Sequence, residues 1–347
     1  METGEHRRRV HYSGTHPKAF TEKYKEQNPE KYAQDVAKVM DRGATPAGMH
    51  RSICVAEILD FLQVQPGQIG LDATLGYGGH STELLKALEG KGHLYATDVD
   101  ALELPRTRQR LLDRGFGPEI FTALQMNFAQ IDQVLAQSGP LNFVLADLGV
   151  SSMQIDNPER GFSFKAAGPL DLRLDQTKGQ PASELLKTLS RDELQGILME
   201  NGDEPHAAEI ADAVMAALAA GTPVETTTAL REIIRESLQF LPKSTRDLES
   251  KKACQRCFQA LRIDVNHEFE VLYDFLDKLP HAMAPGGRVA ILSFHSGEDR
   301  LVKKSFQQFF RAGLYSAIAP DPIRPSPQEC GSNPRARSAK LRWAICP

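Results

Sequence analysis

The stretch Leu71-Asp72-Ala73-Thr74-Leu75-Gly76-Tyr77-Gly78-Gly79-His80-Ser81 decides the fold predicted for this chain of 347 residues. Residues 69–73 form a short apolar run that predicts a buried strand, and residues 81–88 carry helical spacing. The glycines between them tolerate positive φ and allow the backbone to approach a ligand closely. This stretch therefore predicts the strand, turn and helix of a Rossmann-like site for a nucleotide-containing small molecule.

Further predicted strands end in residues that suit the same site. Asp98 ends the second strand, 22 residues after Gly76, close to the spacing at which an acid in a dinucleotide site reaches the ribose hydroxyls. Phe128 follows the third strand and Asp147 ends the fourth. Strands separated by helix-length segments predict a right-handed parallel α/β sheet. We expect its carboxyl edge to bring these side chains and the glycine loop together.

The sequence pattern predicts three regions. Residues 1–45 form a polar arm, which either contacts RNA through its arginines or is a solvated extension. Residues 46–164 and 257–347 form the α/β domain, and residues 165–256 form an inserted helical domain, because the strand pattern stops there and helical spacing takes over. The later predicted elements are a capping box at 190–193, one long helix from Phe258 to Leu279, a fifth strand at 289–294 and an outer strand at 339–345.

Composition restricts the class of protein. The chain is 41% hydrophobic with a net charge of −4, so it can fill a core, and any contact with a polyanion must be a local patch. No apolar run reaches the roughly 18 residues of a membrane span, and no signal peptide is recognised, so we expect a cytoplasmic protein without a membrane partner. The five cysteines predict reduced thiols. Cys254 and Cys257 lack a second pair at zinc-ligand spacing, so no metal site is predicted.

The order of glycines in the loop distinguishes between two cofactors. A dinucleotide loop has the spacing Gly-x-Gly-x-x-Gly, and here Gly76, Gly78 and Gly79 lack a third glycine at the required place. This favours S-adenosylmethionine over a nicotinamide dinucleotide, and Asp72 suits a sulfonium cation better than a diphosphate. Phe128 would then contact the adenine, Asp98 the ribose hydroxyls, and the glycine loop the carboxylate.

Several motifs further along the chain resemble the bacterial ribosomal RNA small-subunit methyltransferase H family, also called MraW. They occur in the family's order over roughly residues 46–345, and their joint occurrence is far more specific than a glycine motif. The matching stretches are 72–81, 147–156, 159–164, 168–175, 258–263, 265–268, 294–300, 302–303 and 333–338.

The resemblance implies a class I methyltransferase fold with an inserted helical substrate-recognition domain. It also implies transfer of a methyl group from S-adenosylmethionine to the exocyclic 4-amino group of a cytosine in 16S rRNA. The cofactor contacts that it implies, together with those reasoned from the loop itself, are Asp72, Gly76, Gly78, Gly79, His80, Asp98, Phe128, Asp147 and Gln154.

This chain departs from the family pattern beside the presumed RNA side. Asn201-Gly202-Asp203-Glu204 stands where the family typically has Tyr-Gly-Glu-Glu, and Lys252 to Cys257 stands where it has His-Pro-Ala-Thr. Gly297 replaces a usual leucine, Tyr77 stands where members often have a further glycine, and the arm before residue 45 is additional.

Chemistry singles out three catalytic candidates. The amino nitrogen of cytosine is a weak nucleophile because its lone pair is delocalised into the ring, so an acceptor must hold its hydrogens. Asp147 is the first candidate, resembling the first position of the Asp-Pro-Pro-Tyr motif of amino methyltransferases, but Leu148-Gly149 follows and no aromatic residue stands at the fourth position. We therefore assign base stacking to Phe294 and His295, after the fifth strand. The target base must be single-stranded or flipped out.

The expected partner is 16S rRNA within the small ribosomal subunit or its precursor. Basic clusters near the C-terminus and after His295 predict a track of cations that bind RNA phosphates. Lys304, Lys340 and Arg342 belong to these clusters, in addition to the substrate-binding residues given below.

The sequence does not give the oligomeric state, and a homodimer is one option. Three alternatives stay open: a nicotinamide oxidoreductase, a non-catalytic RNA-binding assembly factor, and a methyltransferase for a different RNA base. The predicted substrate-binding residues are Ser151, Ser152, Arg173, Arg262, Asn266, Arg300, Lys303, Arg335 and Arg337.

Overall fold

The sheet predicted from the strand pattern is present in a computed structural model, which describes residues 52–347. Seven strands form one sheet in the order β3-β2-β1-β4-β5-β7-β6. The first five run parallel, which confirms the predicted α/β class. The predicted arm lies outside the described residues. The strands are β1 (Ile69–Asp72), β2 (His93–Asp98), β3 (Phe121–Gln125), β4 (Leu141–Asp147), β5 (Met283–Ser293), β6 (Ala317–Ile318) and β7 (Lys340–Ile345).

Helices cover both faces of the sheet and form the region between β4 and β5. Along β4, Phe143 and Leu145 belong to one buried cluster and Val144 and Ala146 to another, as expected for a central strand with both faces covered. The helices are α1 (Val55–Leu62), α2 (Gly79–Ala87), α3 (Glu103–Asp113), α4 (Ile131–Ser138), α5 (Ser152–Asp156), α6 (Ala182–Thr188), α7 (Arg191–Gly202), α8 (Ala207–Ala219), α9 (Thr227–Ser237), α10 (Lys243–Asn266), α11 (Glu268–Ala282), α12 (Ser296–Arg311) and α13 (Pro327–Ser332).

The helical region has a hydrophobic cluster of its own. Its buried members come from α6 to α10, from the loop before α6 and from the connections on either side of α9. The predicted capping box is present, with the Ser190 hydroxyl accepting from the backbone of Glu193 and the Glu193 carboxylate accepting from the backbone of Ser190. Helix α10 continues across residue 256, where the inserted domain was predicted to end. The division of the chain into domains stays a prediction.

Two predicted elements differ from the structure. The single helix expected from Phe258 to Leu279 is two helices, because His267 adopts a left-handed φ of 50° between α10 and α11. The last strand was expected at the outside of the sheet, but β7 pairs antiparallel with both β5 and β6. The two basic residues that alternate with apolar ones in β7, Lys340 and Arg342, do not mark a solvent face, because both donate to Asp299 and Arg342 is buried. None of the helices within residues 52–347 is long and apolar enough to span a membrane.

Candidate active site at the carboxyl edge of the sheet

Asp72 fastens the glycine loop to the start of α2. One carboxylate oxygen accepts from the Ser81 hydroxyl at 2.6 Å, and the other accepts from the backbone N–H of Thr74 at 3.1 Å. The side chain is buried, and burial raises the pKa of this carboxyl group. Asp72 was predicted as a cofactor contact, and the structure shows it holding the shape of the loop.

The glycines allow the loop to lie against its neighbours. Gly76 and Gly78 have positive φ values of 48° and 80°, which side chains rarely adopt. A Cβ at Gly79 would lie 2.1 Å from the Ser52 hydroxyl oxygen, and a Cβ at Gly78 would lie 2.9 Å from the Thr107 methyl group. The loop therefore presents backbone rather than side chains toward the carboxyl edge, at the start of α2 where N–H groups have no helical partner.

Asp98 lies beside this loop at the end of β2. Its carboxylate accepts from the backbone N–H of Gly76 at 2.7 Å and from that of Asp100 at 2.9 Å. Each oxygen has a further lone pair, so the group can still accept from ribose hydroxyls. Burial raises the pKa of Asp98 to about 6. Phe128 begins a 3-10 turn after β3 and packs edge-on against Phe275 at 5.0 Å between ring centroids, half-buried.

Asp147 and His80 face each other where β4 ends. The Asp147 backbone N–H donates to the Thr74 hydroxyl at 2.6 Å, and His80 Nε2 lies 3.5 Å from Asp147 Oδ2. Burial by itself lowers the pKa of His80, but the carboxylates of Asp147, Asp72 and Glu329 bring it above its ordinary value. Asp147 Oδ1 is buried and accepts no hydrogen bond from the described residues. This oxygen is a ready acceptor for an N–H group.

Gln154, a predicted cofactor contact, has two hydrogen-bond partners within the protein. Its Oε1 accepts from the backbone N–H of Ser151 at 2.8 Å, and its Nε2 donates to Asp100 at 2.8 Å. Arg160 donates to the same Asp100 oxygen at 2.6 Å, and both members of that ion pair are fully buried. Gln154 thus ties α5 to the turn after β2. Sequence reasoning missed Asp100 and Arg160, although Asp100 follows Asp98 closely and Arg160 lies within a matched motif.

Three predicted RNA contacts have internal partners. Arg173 Nε and Nη2 each donate to Asp171 at 2.8 Å, and Arg262 Nε and Nη2 donate to Glu268 at 2.7 and 2.9 Å. Asn266 accepts from the backbone N–H of Leu174 at 2.7 Å and donates to a carbonyl oxygen of the same loop. Their spacing in the sequence gave no sign of these partners, which lie on other elements or across a turn.

Three cations of the predicted phosphate track have internal partners. Asp299 accepts from Lys340 at 2.7 Å and from Arg342 at 2.6 Å, so these two cations serve an internal ion pair. Arg335 donates to Asp156 at 3.0 Å. The side chains of Arg300, Lys303, Lys304 and Arg337 are exposed.

Phe294 and His295 adjoin Asp147 through the sheet. Leu292 pairs with Asp147 in the register of β4 and β5, and the backbone N–H of Leu148 donates to Leu292 at 2.9 Å. A Cβ at Gly149 would lie 3.9 Å from the Phe294 ring. The structure therefore brings the three predicted catalytic residues to neighbouring strand ends, while their roles stay predictions. The predicted substrate-binding serines, Ser151 and Ser152, lie shortly after β4, where Ser151 caps α5.

Two groups of described residues have the spacing of metal ligands. They are Cys54, Glu57 and Glu329, and Glu268, His295 and Glu298, with the ligand atoms of each group within 4.8 Å of one another. In the first, burial raises the pKa of the Cys54 thiol to about 12, which disfavours the thiolate that binds metals. In the second, Arg262 already compensates the charge of Glu268. The thiols of Cys254 and Cys257 are buried, and burial raises the pKa of each.

Comparison with known proteins identifies the family. A model described as the MraW methylase family matches residues 47–345. The chain belongs to the MraW methylase family. It is similar to a protein of Alkaliphilus metalliredigens named Ribosomal RNA small subunit methyltransferase H 2, with 68% identity over 97% of each chain. It is also similar to proteins named Ribosomal RNA small subunit methyltransferase H 1 from Lachnoclostridium phytofermentans (62% identity, 98% of this chain, 93% of the relative) and Agathobacter rectalis (58% identity, 99% of each).

The predicted arm is shared with some MraW relatives. The Alkaliphilus relative aligns with 97% of this chain, whereas a Koribacter versatilis relative at 40% identity aligns with 85%. An alignment over 97% of the chain must include most of residues 1–45. The additional residues therefore belong to a subgroup of the MraW family rather than to this chain alone.

Proposed function

We propose that this protein is an S-adenosylmethionine-dependent methyltransferase that methylates the exocyclic 4-amino group of a cytosine in 16S rRNA. Membership of the MraW methylase family supports the reaction class. The observation that carries the proposed site is the buried, unsatisfied Oδ1 of Asp147 at the end of β4, beside the glycine loop. The names of the similar proteins support ribosomal RNA of the small subunit as the substrate.

The residues at the carboxyl edge fit S-adenosylmethionine. Gly78 and Gly79 keep the loop free of side chains where it packs against Thr107 and Ser52, and the N-terminus of α2 suits a carboxylate. Asp98 would accept from the ribose hydroxyls and Phe128 would pack against the adenine. When bound, the cofactor supplies an electrophilic methyl group on a sulfonium.

Asp147 would activate the acceptor amine. Its free Oδ1 accepts a hydrogen bond from the amino group, which draws the nitrogen out of conjugation and localises its lone pair. The same oxygen can hold the proton that the nitrogen loses as the new N–C bond forms. His80 Nε2 lies 3.5 Å from the other carboxylate oxygen, Oδ2. Positioning of two reactants in this way supplies several kcal/mol of rate enhancement.

Phe294 and His295 would flank the base from the neighbouring strand end. A cytosine reaches such a site only when it is unpaired or flipped, and stacking on an aromatic ring offsets the cost of removing it from its helix. Arg300, Lys303 and Arg337 are exposed and would bind phosphates. Action on ribosomal RNA supports a cytoplasmic location, where ribosomes are assembled. The mass of the protein in solution, measured by mass photometry, tests whether it forms a homodimer.

A methyl-transfer assay and a binding measurement separate this function from its alternatives. The full chain is incubated with methyl-tritiated S-adenosylmethionine and small ribosomal subunits from a strain that lacks the gene, and the RNA is digested to nucleosides. We expect tritium in N4-methylcytidine. Tritium in another nucleoside identifies a different target base, and absence of transfer with retained RNA binding identifies an assembly factor. Calorimetric binding of NAD without binding of S-adenosylmethionine would identify an oxidoreductase.

A further inference from the structure

The turn between β5 and α12 is organised around one buried carboxylate. Glu298 is 3% exposed, and its Oε2 accepts from the backbone N–H of Phe294 at 2.8 Å and from that of His295 at 3.4 Å. Its Oε1 lies 3.1 Å from His295 Nε2. One side chain therefore contacts both residues that we assign to the acceptor base.

The His295 ring has both nitrogens directed at Glu298. Its Nδ1 accepts from the backbone N–H of Glu298 at 3.4 Å, so the neutral ring carries its proton on Nε2, which faces the carboxylate. His295 is 10% exposed. Nδ1 is thus engaged as an acceptor, and Nε2 lies 3.1 Å from the Glu298 carboxylate. What it offers to a base is the aromatic face.

Arg262 also stabilises the Glu298 carboxylate. Arg262 donates two hydrogen bonds to Glu268, at 2.7 and 2.9 Å, and its charge also acts on Glu298. Burial by itself raises the pKa of Glu298, but the contact with His295 and the charge of Arg262 bring it below its ordinary value. The group therefore stays ionised at neutral pH, which suits the two backbone N–H groups that donate to it.

Gly297 completes this packing. A Cβ at this position would lie 2.5 Å from the Phe269 ring and 3.2 Å from His295 Nδ1, and the Phe269 and His295 ring centroids are 5.8 Å apart. Phe269 thus fills the space that a side chain at residue 297 would take. The departure from the family's leucine is accommodated by an aromatic ring behind His295.

We infer that Glu298 is a positioning residue for the acceptor base: it fixes the Phe294 backbone and the His295 ring so that their aromatic faces stand beside Asp147. This inference rests on the proposed function. Glu298 itself touches neither the cofactor loop nor the reacting atoms. Its effect is expected on the RNA side of the reaction and not on binding of the cofactor.

Glu298→Gln tests the inference with little change in volume. An amide has one acceptor oxygen instead of two, so either the Phe294 backbone N–H or His295 Nε2 would face an NH₂ group in place of a carboxylate oxygen. We expect kcat/KM for the RNA to fall about 10- to 100-fold while the Kd for S-adenosylmethionine stays within about twofold. A parallel loss of cofactor affinity would overturn the inference.

A double-mutant cycle separates positioning from general stability. In a His295→Ala background, Glu298→Gln should cost less than about threefold further, because the ring that it positions is gone. If the two substitutions lowered kcat/KM for the RNA independently, so that their fold-changes multiplied in the double variant, the inference would be contradicted. Asp299→Asn is the matched control, since Asp299 is the adjacent buried carboxylate on α12 but holds Lys340 and Arg342 instead. It should lower the melting temperature and leave kcat/KM for the RNA within about twofold.

A spectroscopic readout keeps this test independent of the proposed function. The ¹⁵N shifts of His295, assigned by comparison with His295→Ala, should report the Nε2-protonated tautomer in the wild type and a mixture in Glu298→Gln. An unchanged tautomer would overturn the positioning role even if the enzyme is active. If the wild type methylates no RNA but the tautomer changes, the proposed function fails and the control of the ring by Glu298 stands.

Discussion

The loop from Asp72 to Ser81 and the segment from Ser151 to Asp175 both adjoin the carboxyl edge of the sheet, but they are held there differently. Asp72 and Ser81 are nine residues apart, and Gly76 and Asp98 are 22 apart. In the second region, Gln154 and Arg160 reach Asp100 across 54 and 60 residues, and Asn266 reaches the loop at Leu174 across 92.

This contrast separates what local sequence specifies from what the tertiary fold specifies. The cofactor loop is formed by glycines, by hydrogen bonds between residues close in sequence, and by the ends of successive strands. The acceptor side also contains local pairs such as Arg173 with Asp171, but it is joined by a buried ion pair and hydrogen bonds between distant elements. A change in the second region should therefore act on stability and RNA together, whereas a change in the first should act on the cofactor alone.

The largest expected effect comes from breaking the buried pair between Arg160 and Asp100. Arg160→Ala leaves a carboxylate buried without its cation, which should lower the free energy of unfolding by about 3 to 5 kcal/mol. Chemical denaturation measures this. Lys86→Ala, which removes an exposed pair with Glu83, is the control and should cost less than about 1 kcal/mol. Equal losses for the two variants would show that the Asp100 network does not hold the acceptor side.

The next effect is on chemistry at Asp147. Asp147→Asn keeps the shape of the side chain but replaces an acceptor oxygen with an amide, so single-turnover methyl transfer should slow about 10²- to 10³-fold. Melting temperature and affinity for S-adenosylmethionine should change little. A rate within threefold of the wild type would exclude the assigned role.

Acid should weaken the cofactor site through Asp98. Burial raises the pKa of Asp98 to about 6, so the folded protein binds this proton more tightly than the unfolded chain does. The protonated form of Asp98 therefore stabilises the folded protein at low pH, and this stabilisation is lost as the pH rises through about 6. Because ribose hydroxyls need the carboxylate as an acceptor, affinity for S-adenosylmethionine should fall about tenfold per pH unit well below that pKa. Calorimetry between pH 5 and 8 measures it, and Asp98→Asn should flatten the profile.

The smallest effects are expected at the exposed cations. Arg300→Ala and Lys303→Ala should each weaken RNA binding a few-fold and reduce the slope of log K against log salt by about one. Lys278→Ala, at an exposed lysine paired with Asp132, is the control and should leave the slope unchanged. Salt titrations of RNA affinity provide the measurement. Unchanged slopes for both test variants would remove these residues from the phosphate track.

Much of the fold follows from local sequence patterns. Buried strands, the glycine turn and the acids at strand ends are specified by residues near one another, so β1 to β4 and the loop were predictable. The break at His267 was not, because apolar helical spacing continues through a residue whose φ is left-handed. The partners of Gln154, Arg173 and Arg342 were also missed, since a polar side chain in a sequence does not reveal whether it meets solvent, RNA or a buried carboxylate.

The most direct test of the central claim is the identity of the methylated nucleoside. RNA from small subunits of the deletion strain is treated with the purified protein and labelled S-adenosylmethionine, digested, and analysed by mass spectrometry. We expect N4-methylcytidine at a single position of 16S rRNA, formed by the wild type and lost with Asp147→Asn. Label in any other nucleoside, or none with protein that binds S-adenosylmethionine, would contradict it.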